Sequence, residues 1–477
     1  MACSLAPTVD RGTCSNAVTC EVKSKAQLSA ERRLLLALLG RQTEEQEKAE
    51  TLSLLRQVNW QRFLNTTSGD LYPYLAFALE PYLSILEARP EWERLFKARR
   101  ITAVHNLTLR HGLGKALDAL VERGISVLAL KGVVMAYTAY PDLSLRPMSD
   151  LDLLVPPGER EKALGILRLL GYQNPESVLH RDDCSRLGPN QEFAPPLRLR
   201  GSTVLLEVHS QLECSEPLFP MSVREFWSRS ILVDLKGLRV RTLCPEDFLF
   251  HLCLHQSRWH RFEKGLLPLV DLKMLLESRL DWNWAGIAER SLRGRCATWM
   301  YVTLGAARDL VGAPVPDSFF QALPQPHDLP KLQCLSEEKI WSAKSVTGLP
   351  PFLPALLAES SWRRRARMIL TRMRLVRKEE TDSGPTIASL VRRVRLWLRR
   401  LLATARTKIP RYAYAWKTGN LKLRTIRQSA ALLRESNSLF QLIEEETRCA
   451  DQNSVMENAT RVLLESSTNR GHPMRFE

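Results

Sequence analysis

The chain has 477 residues, 44% of them hydrophobic and 25% charged, which is the composition of an ordinary globular protein and excludes a collagen-like, fibrous or wholly disordered molecule. That length exceeds one typical core, so two or three domains are expected. The formal charge of +16 is uneven: residues 363–427 carry 20 basic side chains against three acids, leaving the rest of the chain near −1, so the excess belongs to an appendage and not to the whole protein.

In chain order, residues 1–25 mix Ser, Thr, Cys and Gly without period and are expected to be disordered. Residues 26–118 show helical spacing through Leu34-Leu35-Leu36, Leu38-Leu39, Leu54-Leu55, Val58, Leu107 and Leu109, with Trp60 as a core residue near a helix start. Residues 119–243 then alternate. A helix ends at Gly124, residues 125–130 form a short buried strand, and residues 133–140 a helix closed by Pro141. Residues 151–155 are the next strand, residues 159–170 a helix stopped by Gly171, and residues 203–208 a third strand. Helical spacing returns over 244–312, opening on Pro245-Glu246-Asp247. His251 and His255 stand four apart there with no third ligand nearby, so helix packing or a nucleobase-side contact is a better reading than zinc. Prolines mark 313–361 as a linker or irregular cap. Within the basic segment 362–427, residues 390–406 place Leu390, Val394, Trp397, Leu398 and Leu401 on one stripe among arginines. That composition fits an anionic membrane surface, with nucleic-acid phosphate or the chain's own domain as competitors. Residues 428–477 form a helical or disordered tail. The fold class is α+β: a mixed sheet flanked by helices, a helical N-terminal region and a basic helical C-terminal segment.

Ten cysteines occur with no Cys-x-x-Cys and no pairing rhythm, which reads as reduced thiols. The chain shows neither a secretory leader pattern nor an apolar run of roughly eighteen residues, so a cytoplasmic location, peripheral at the inner face of the membrane, is expected.

Residues 130–155 carry the most chemistry. Asp150 and Asp152 stand two apart before the apolar run Leu153-Leu154-Val155, so on a strand both carboxylates leave the same face. Their mutual repulsion is relieved by a divalent cation, for which Mg²⁺ shared with substrate phosphates is the common solution. Leu130-Lys131-Gly132 precedes them by about eighteen residues. Gly132 permits close backbone approach to a phosphate at a helix N-terminus, and Lys131 and Arg146, with Ser149 beside the acids, complete a nucleotide-binding set. On a later segment Glu207-Val208-His209 puts Glu207 and His209 on one strand face; His209 reads equally as a substrate contact or a structural histidine. Asp271, amid Leu269, Val270 and Leu272, reads as a buried acid fixing its helix.

These motifs, with Tyr140-Pro141-Asp142, the run Leu145-Arg146-Pro147-Met148-Ser149-Asp150-Leu151-Asp152, Glu207-Val208-His209 and weaker echoes at Val58-Asn59-Trp60 and from Pro245 to Asp271, resemble the nucleotidyltransferase fold of the DNA polymerase β superfamily. Within it they look most like a bacterial family often encoded near exopolysaccharide and peptide-modification genes. The similarity spans roughly residues 26–310 and stops before the basic segment. It implies two Mg²⁺ ions held by Asp150, Asp152 and Glu207, an NTP donor, in-line attack of an acceptor hydroxyl on the α-phosphate, and release of pyrophosphate. Glu207 then completes the metal site or serves as base. Lys131-Gly132 departs from the superfamily's double small-residue turn, and its distance to Asp150 is longer than usual. The acceptor, a sugar or other small molecule or a macromolecule, is not marked by any motif. Two rivals follow from the same residues: a nucleotide-binding scaffold recruited to a membrane, and a toxin-like enzyme modifying tRNA or protein.

Overall fold

The computed structural model describes residues 28–40, 45–84, 89–174, 196–212, 215, 219–342 and 438–448. The expected disordered start (1–25) and the basic segment 362–427, with its 390–406 stripe, lie outside these residues.

Helix α1 (Ala30–Leu39) starts at Ser29, whose side chain accepts the Arg32 N–H, and buries Leu34, Leu35, Leu38 and Leu39. After α2 (Glu45–Gln57), α3 (Trp60–Thr66) is capped by Asn59, which accepts the Arg62 N–H at 2.9 Å. Trp60 is buried edge-on against Phe63 and Trp92. α4 (Tyr72–Leu79) packs along α5 (Pro90–Val121), a 32-residue helix. The chain leaves α5 through Gly124, whose φ of +75° suits only a residue without Cβ.

Five strands follow in one mixed sheet of order β1-β2-β5-β4-β3. They are β1 (Leu128–Leu130), β2 (Leu151–Leu154), β3 (Tyr172–Gln173), β4 (Leu197–Leu199) and β5 (Leu205–His209). β2 and β5 run parallel, while the other neighbours are antiparallel. α6 (Lys131–Thr138) joins β1 towards β2, and α7 (Arg160–Leu169) follows β2. All four residues of β2 are buried, Asp152 included, as expected of a strand with neighbours on both sides and cover on both faces. The strand expected over 203–208 instead begins at Leu205 and runs on to His209, because its register is fixed by pairing Leu206 with Leu151 and His209 with Leu154. A separate hairpin, β6 (Ile231–Asp234) and β7 (Arg239–Thr242), follows α8 (Val223–Ser228) and lies beside β1, where the Thr242 hydroxyl donates to the Ala129 carbonyl at 2.7 Å.

The helical region after the sheet comprises α9 (Pro245–Leu254), one π turn (His255–Trp259), α10 (Leu267–Glu277), α11 (Trp284–Arg293) and α12 (Ala297–Val311). α10 carries a buried lysine. Lys273, 3% exposed, donates to the carbonyls of Leu39 at 2.7 Å and Gly40 at 3.2 Å, and so caps the C-terminus of α1. Within the stretch expected as a linker or irregular cap, the described residues 313–342 include two helices, α13 (Asp317–Gln321) and α14 (Leu329–Ser342), which bury Phe319, Phe320, Leu332 and Ile340. The prolines misled because Pro316 is the N-cap of α13 and Pro330 lies in the first turn of α14, where a missing N–H forfeits no helical bond. Residues 438–448 form a last helix, α15, docked by buried Leu439 and Ile443. Its Phe440 ring lies under the guanidinium groups of Arg258 and Arg261 at 4.4 and 4.6 Å. Among the described residues, Cys244, Cys253 and Cys296 are free thiols. Among the described residues no helix is long and apolar enough to cross a membrane.

Candidate active site

Strand pairing brings the site together. The antiparallel β1–β2 register sets Leu130 opposite Asp152, so the next residue, Lys131, turns off the end of β1 beside that carboxylate. The parallel β2–β5 register sets Glu207 opposite Asp152, and the two-residue period of β5 returns His209 to the Glu207 face. Lys131 Nζ donates to Asp152 Oδ1 at 2.9 Å, and His209 Nε2 lies 2.9 Å from the same oxygen and 3.8 Å from Glu207 Oε2. Lys131 holds φ +49°, a left-handed conformation that costs a residue with a Cβ about 1 kcal/mol. It opens α6, and its ammonium is what a glycine there could not supply.

Asp150 precedes the first paired residue of β2, and its Oδ1 accepts from the Ser149 hydroxyl at 2.9 Å. Burial, then the neighbouring Asp152 charge, pushes the Asp150 carboxyl above its ordinary pKa. Glu207 is raised in the same way, by burial first and Asp152 second, against the opposing pull of His209. Burial would raise Asp152 as well, but the Lys131 ammonium and the His209 hydrogen bond outweigh it and hold that carboxyl well below the usual range. One acid is thus held ionised while its two neighbours resist ionisation. Divergence of this kind between adjacent acids is common at catalytic sites and occurs in structural ion-pair networks as well.

Among the described residues, the one set of three ligand-type groups whose donor atoms all lie within 4.8 Å of one another is Asp152, Glu207 and His209. It shares two members with the expected metal set of Asp150, Asp152 and Glu207, and substitutes His209 for Asp150. His251 and His255 assemble no such set: their rings stand 5.8 Å apart, and His255 Nε2 meets His260 Nε2 at 3.0 Å.

Arg146 is committed elsewhere than expected. Its guanidinium grips Asp271 bidentately, Nε to Oδ1 at 3.1 Å and Nη2 to Oδ2 at 2.8 Å, while Tyr140 donates its hydroxyl to Oδ1 at 2.8 Å. Asp271 therefore does fix its helix, and it does so by tying α10 to the loop ahead of Asp150. From α5, the Asn106 amide donates to the carbonyls of Leu143 at 2.6 Å and Arg146 at 2.8 Å and pins the same loop. The long stretch between Gly132 and Asp150 is thus α6 followed by a loop anchored from α5 and α10.

Arg146 also explains Gly132. A Cβ there would stand 2.4 Å from Arg146 Nη1 and 3.1 Å from Met148 Cγ. Because Asp271 holds the guanidinium, it cannot swing clear, and Gly132→Ala is expected to cost about 2 kcal/mol in denaturant unfolding. Full stability in that variant would mean the contact is slack.

Of the residues the sequence singles out, Lys131 and Gly132 follow β1, Arg146, Ser149 and Asp150 lie in the segment before β2, Asp152 lies within β2 and Glu207 within β5. Sequence reasoning had not paired Arg146 with Asp271, nor given Asn106 or Tyr140 a part, and His209 was visible only as a neighbour two residues from Glu207. No curated protein and no solved structure matches the chain. A family model described as uncharacterised nucleotidyltransferase matches residues 56–312, more than half of the 477 residues and the whole of this site, and the chain therefore belongs to that nucleotidyltransferase family.

Proposed function

We propose that this protein transfers a nucleoside monophosphate from an NTP to an acceptor hydroxyl, breaking the α–β phosphoanhydride, forming an α-phosphate ester and releasing pyrophosphate. The observation that supports it is the convergence of Asp152, Glu207 and His209 from two paired strands beside Lys131 and the N-terminus of α6. The donor set fits divalent cations: Asp152, Glu207 and His209 offer ligand atoms within 4.8 Å of one another, and Asp150 and Glu207 are raised towards protonation by burial and the charge of Asp152, which is held ionised. Asp150, Asp152 and Glu207 would hold them, with Mg²⁺ the expected ion, and bound cations would neutralise charge on the triphosphate and on the leaving pyrophosphate. Gly132 and the amides that open α6 receive phosphate oxygens. Lys131 exchanges Asp152 for the triphosphate as nucleotide enters. Glu207, with two carboxylate oxygens, can act as a ligand through one and take the acceptor's proton on the other. Arg146 positions the loop through Asp271. The acceptor hydroxyl belongs to a sugar or other small molecule or to a macromolecule.

The test is calorimetric titration of each of the four NTPs, with and without Mg²⁺, into wild type and Asp150→Asn/Asp152→Asn. Metal-dependent binding of one NTP, lost in the double variant, is the expected result; absence of binding under every condition would sink the reading. Lys131→Met separates the two duties of that ammonium. It should bind a divalent cation at least about tenfold tighter without nucleotide and NTP at least about tenfold weaker, because Asp152 loses its internal counter-ion and the phosphates lose a partner. Parallel weakening of both would show that Lys131 only supports the fold.

A further inference from the structure

The carboxylates of this site follow from the family pattern, but the nitrogen does not. We infer that the cation position formed by Asp152, Glu207 and His209 takes a first-row divalent transition ion through His209 Nε2, in preference to Mg²⁺. The inference rests on the proposed function and deepens it.

Geometry comes first. His209 Nε2 lies 2.9 Å from Asp152 Oδ1 and 3.8 Å from Glu207 Oε2. Adjacent ligands of an octahedral ion stand about 3 Å apart when metal–ligand distances are near 2.1 Å, so the first separation, spanned here by a hydrogen bond, already suits neighbouring ligands once the Nε2 proton gives way to the cation, and the second needs a shift of under about 1 Å. Backbone placement makes the approach hard to avoid. Asp152 and Glu207 are paired across the parallel ladder, and His209 follows Glu207 on the same face with its Cα paired to Leu154. The imidazole side chain is 25% exposed and that of Glu207 17%, whereas Asp152 is buried at 7%, so the position is reached from the His209 and Glu207 side.

Chemistry decides the ion. Mg²⁺ is hard, binds oxygen, and prefers water to imidazole as its remaining ligand, whereas the divalent ions from Mn²⁺ to Zn²⁺ accept a mixed nitrogen and oxygen set. Among them Mn²⁺ is the weakest binder in the usual affinity order, which makes it the most stringent probe. Lys131 does not alter the preference, because its ammonium competes equally with either ion for Asp152 Oδ1.

The experiment uses the full chain freed of metal. Mn²⁺ is titrated in by electron paramagnetic resonance, and the bound ion is then examined by electron spin echo modulation, which reports directly coordinated nitrogen. Wild type is expected to show ¹⁴N modulation from one imidazole, and to need on the order of a tenfold excess of Mg²⁺ for half displacement. His209→Gln should retain Mn²⁺ through its oxygens, lose the modulation and lose the preference over Mg²⁺. Should that variant fold poorly, wild type grown with ¹⁵N-histidine answers the same question, since the ¹⁴N modulation must vanish. Bound Mn²⁺ with no nitrogen coupling, or coupling that survives His209→Gln, overturns the inference and leaves an oxygen-only site, so the transferase reading stands. Failure of both wild type and Lys131→Met to bind any divalent cation, with nucleotide or without, overturns both.

Discussion

Asp152→Asn is expected to abolish nucleotidyl transfer and to destabilise the protein, whereas Glu207→Gln is expected to abolish transfer while raising the melting temperature. Both variants remove one carboxylate from the same ladder rung, yet their surroundings differ in sign. Asp152 is held ionised by Lys131 and His209, so its loss leaves a lysine side chain only 12% exposed beside a neutral amide. Removing one partner of such a pair costs about 3 kcal/mol. Glu207 is raised by burial and by Asp152; a neutral isostere relieves that strain and is expected to stabilise by about 1 kcal/mol. Calorimetric melting of the two variants beside wild type decides it, and equal destabilisation by both would mean that the acids are ordinary structural groups.

The same asymmetry sets the response to pH. For Glu207 and Asp150 the folded-state pKa lies above the unfolded one, so the stability they contribute is present at low pH and is lost as pH rises through their raised values. Asp152, depressed, contributes stability that persists above the ordinary aspartate range and is lost only in strong acid. Metal-free protein should therefore grow more stable as pH falls from neutral towards the raised values. A saturating divalent cation should remove or reverse that slope, because it binds the ionised forms.

The second large effect lies outside the donor set. Asp271→Ala should cost about 4 kcal/mol, since it strands the guanidinium of Arg146, 15% exposed, and removes the acceptor of the Tyr140 hydroxyl. Transfer should fall on the order of a hundredfold even in the molecules that stay folded, because the Arg146 loop overlies Gly132 and leads into Asp150. The double variant Arg146→Met/Asp271→Leu separates stability from positioning. An apolar pair can restore much of the stability, but it cannot reproduce a two-point hydrogen-bonded clamp. Stability recovered without activity is the expected outcome; activity recovered along with stability would show that the clamp is merely structural.

How much of this was legible beforehand depended on the range of the interaction. Asp150, Asp152 and the apolar run behind them are local, and the two-residue period of a strand placed Glu207 and His209 on one face before any fold was known. Gly124 and Gly171 ended helices at their own positions. What stayed hidden was set by distance along the chain. Arg146 and Asp271 are 125 residues apart and Asn106 reaches a carbonyl 40 residues on, and nothing in either neighbourhood announces the partner. The residue type of Arg146 alone points to phosphate, while the bidentate Asp271 pairing adds a loop-holding part that no local pattern signals. Prolines at 316 and 330 looked like breakers because a proline at a helix start and one in a linker have the same local signature.

Lys273 bears on how the protein is to be handled. Its ammonium, on α10, is satisfied by the carbonyls that end α1, and α1 lies wholly before residue 56, where the family match begins. A fragment trimmed to the matched stretch would keep the amine and the Tyr74 hydroxyl but discard both carbonyls that accept from it, so the stretch the family model matches is shorter than the unit that packs together. Solubility failure of such a fragment would be a fault of the scissors, and would say nothing against the enzyme.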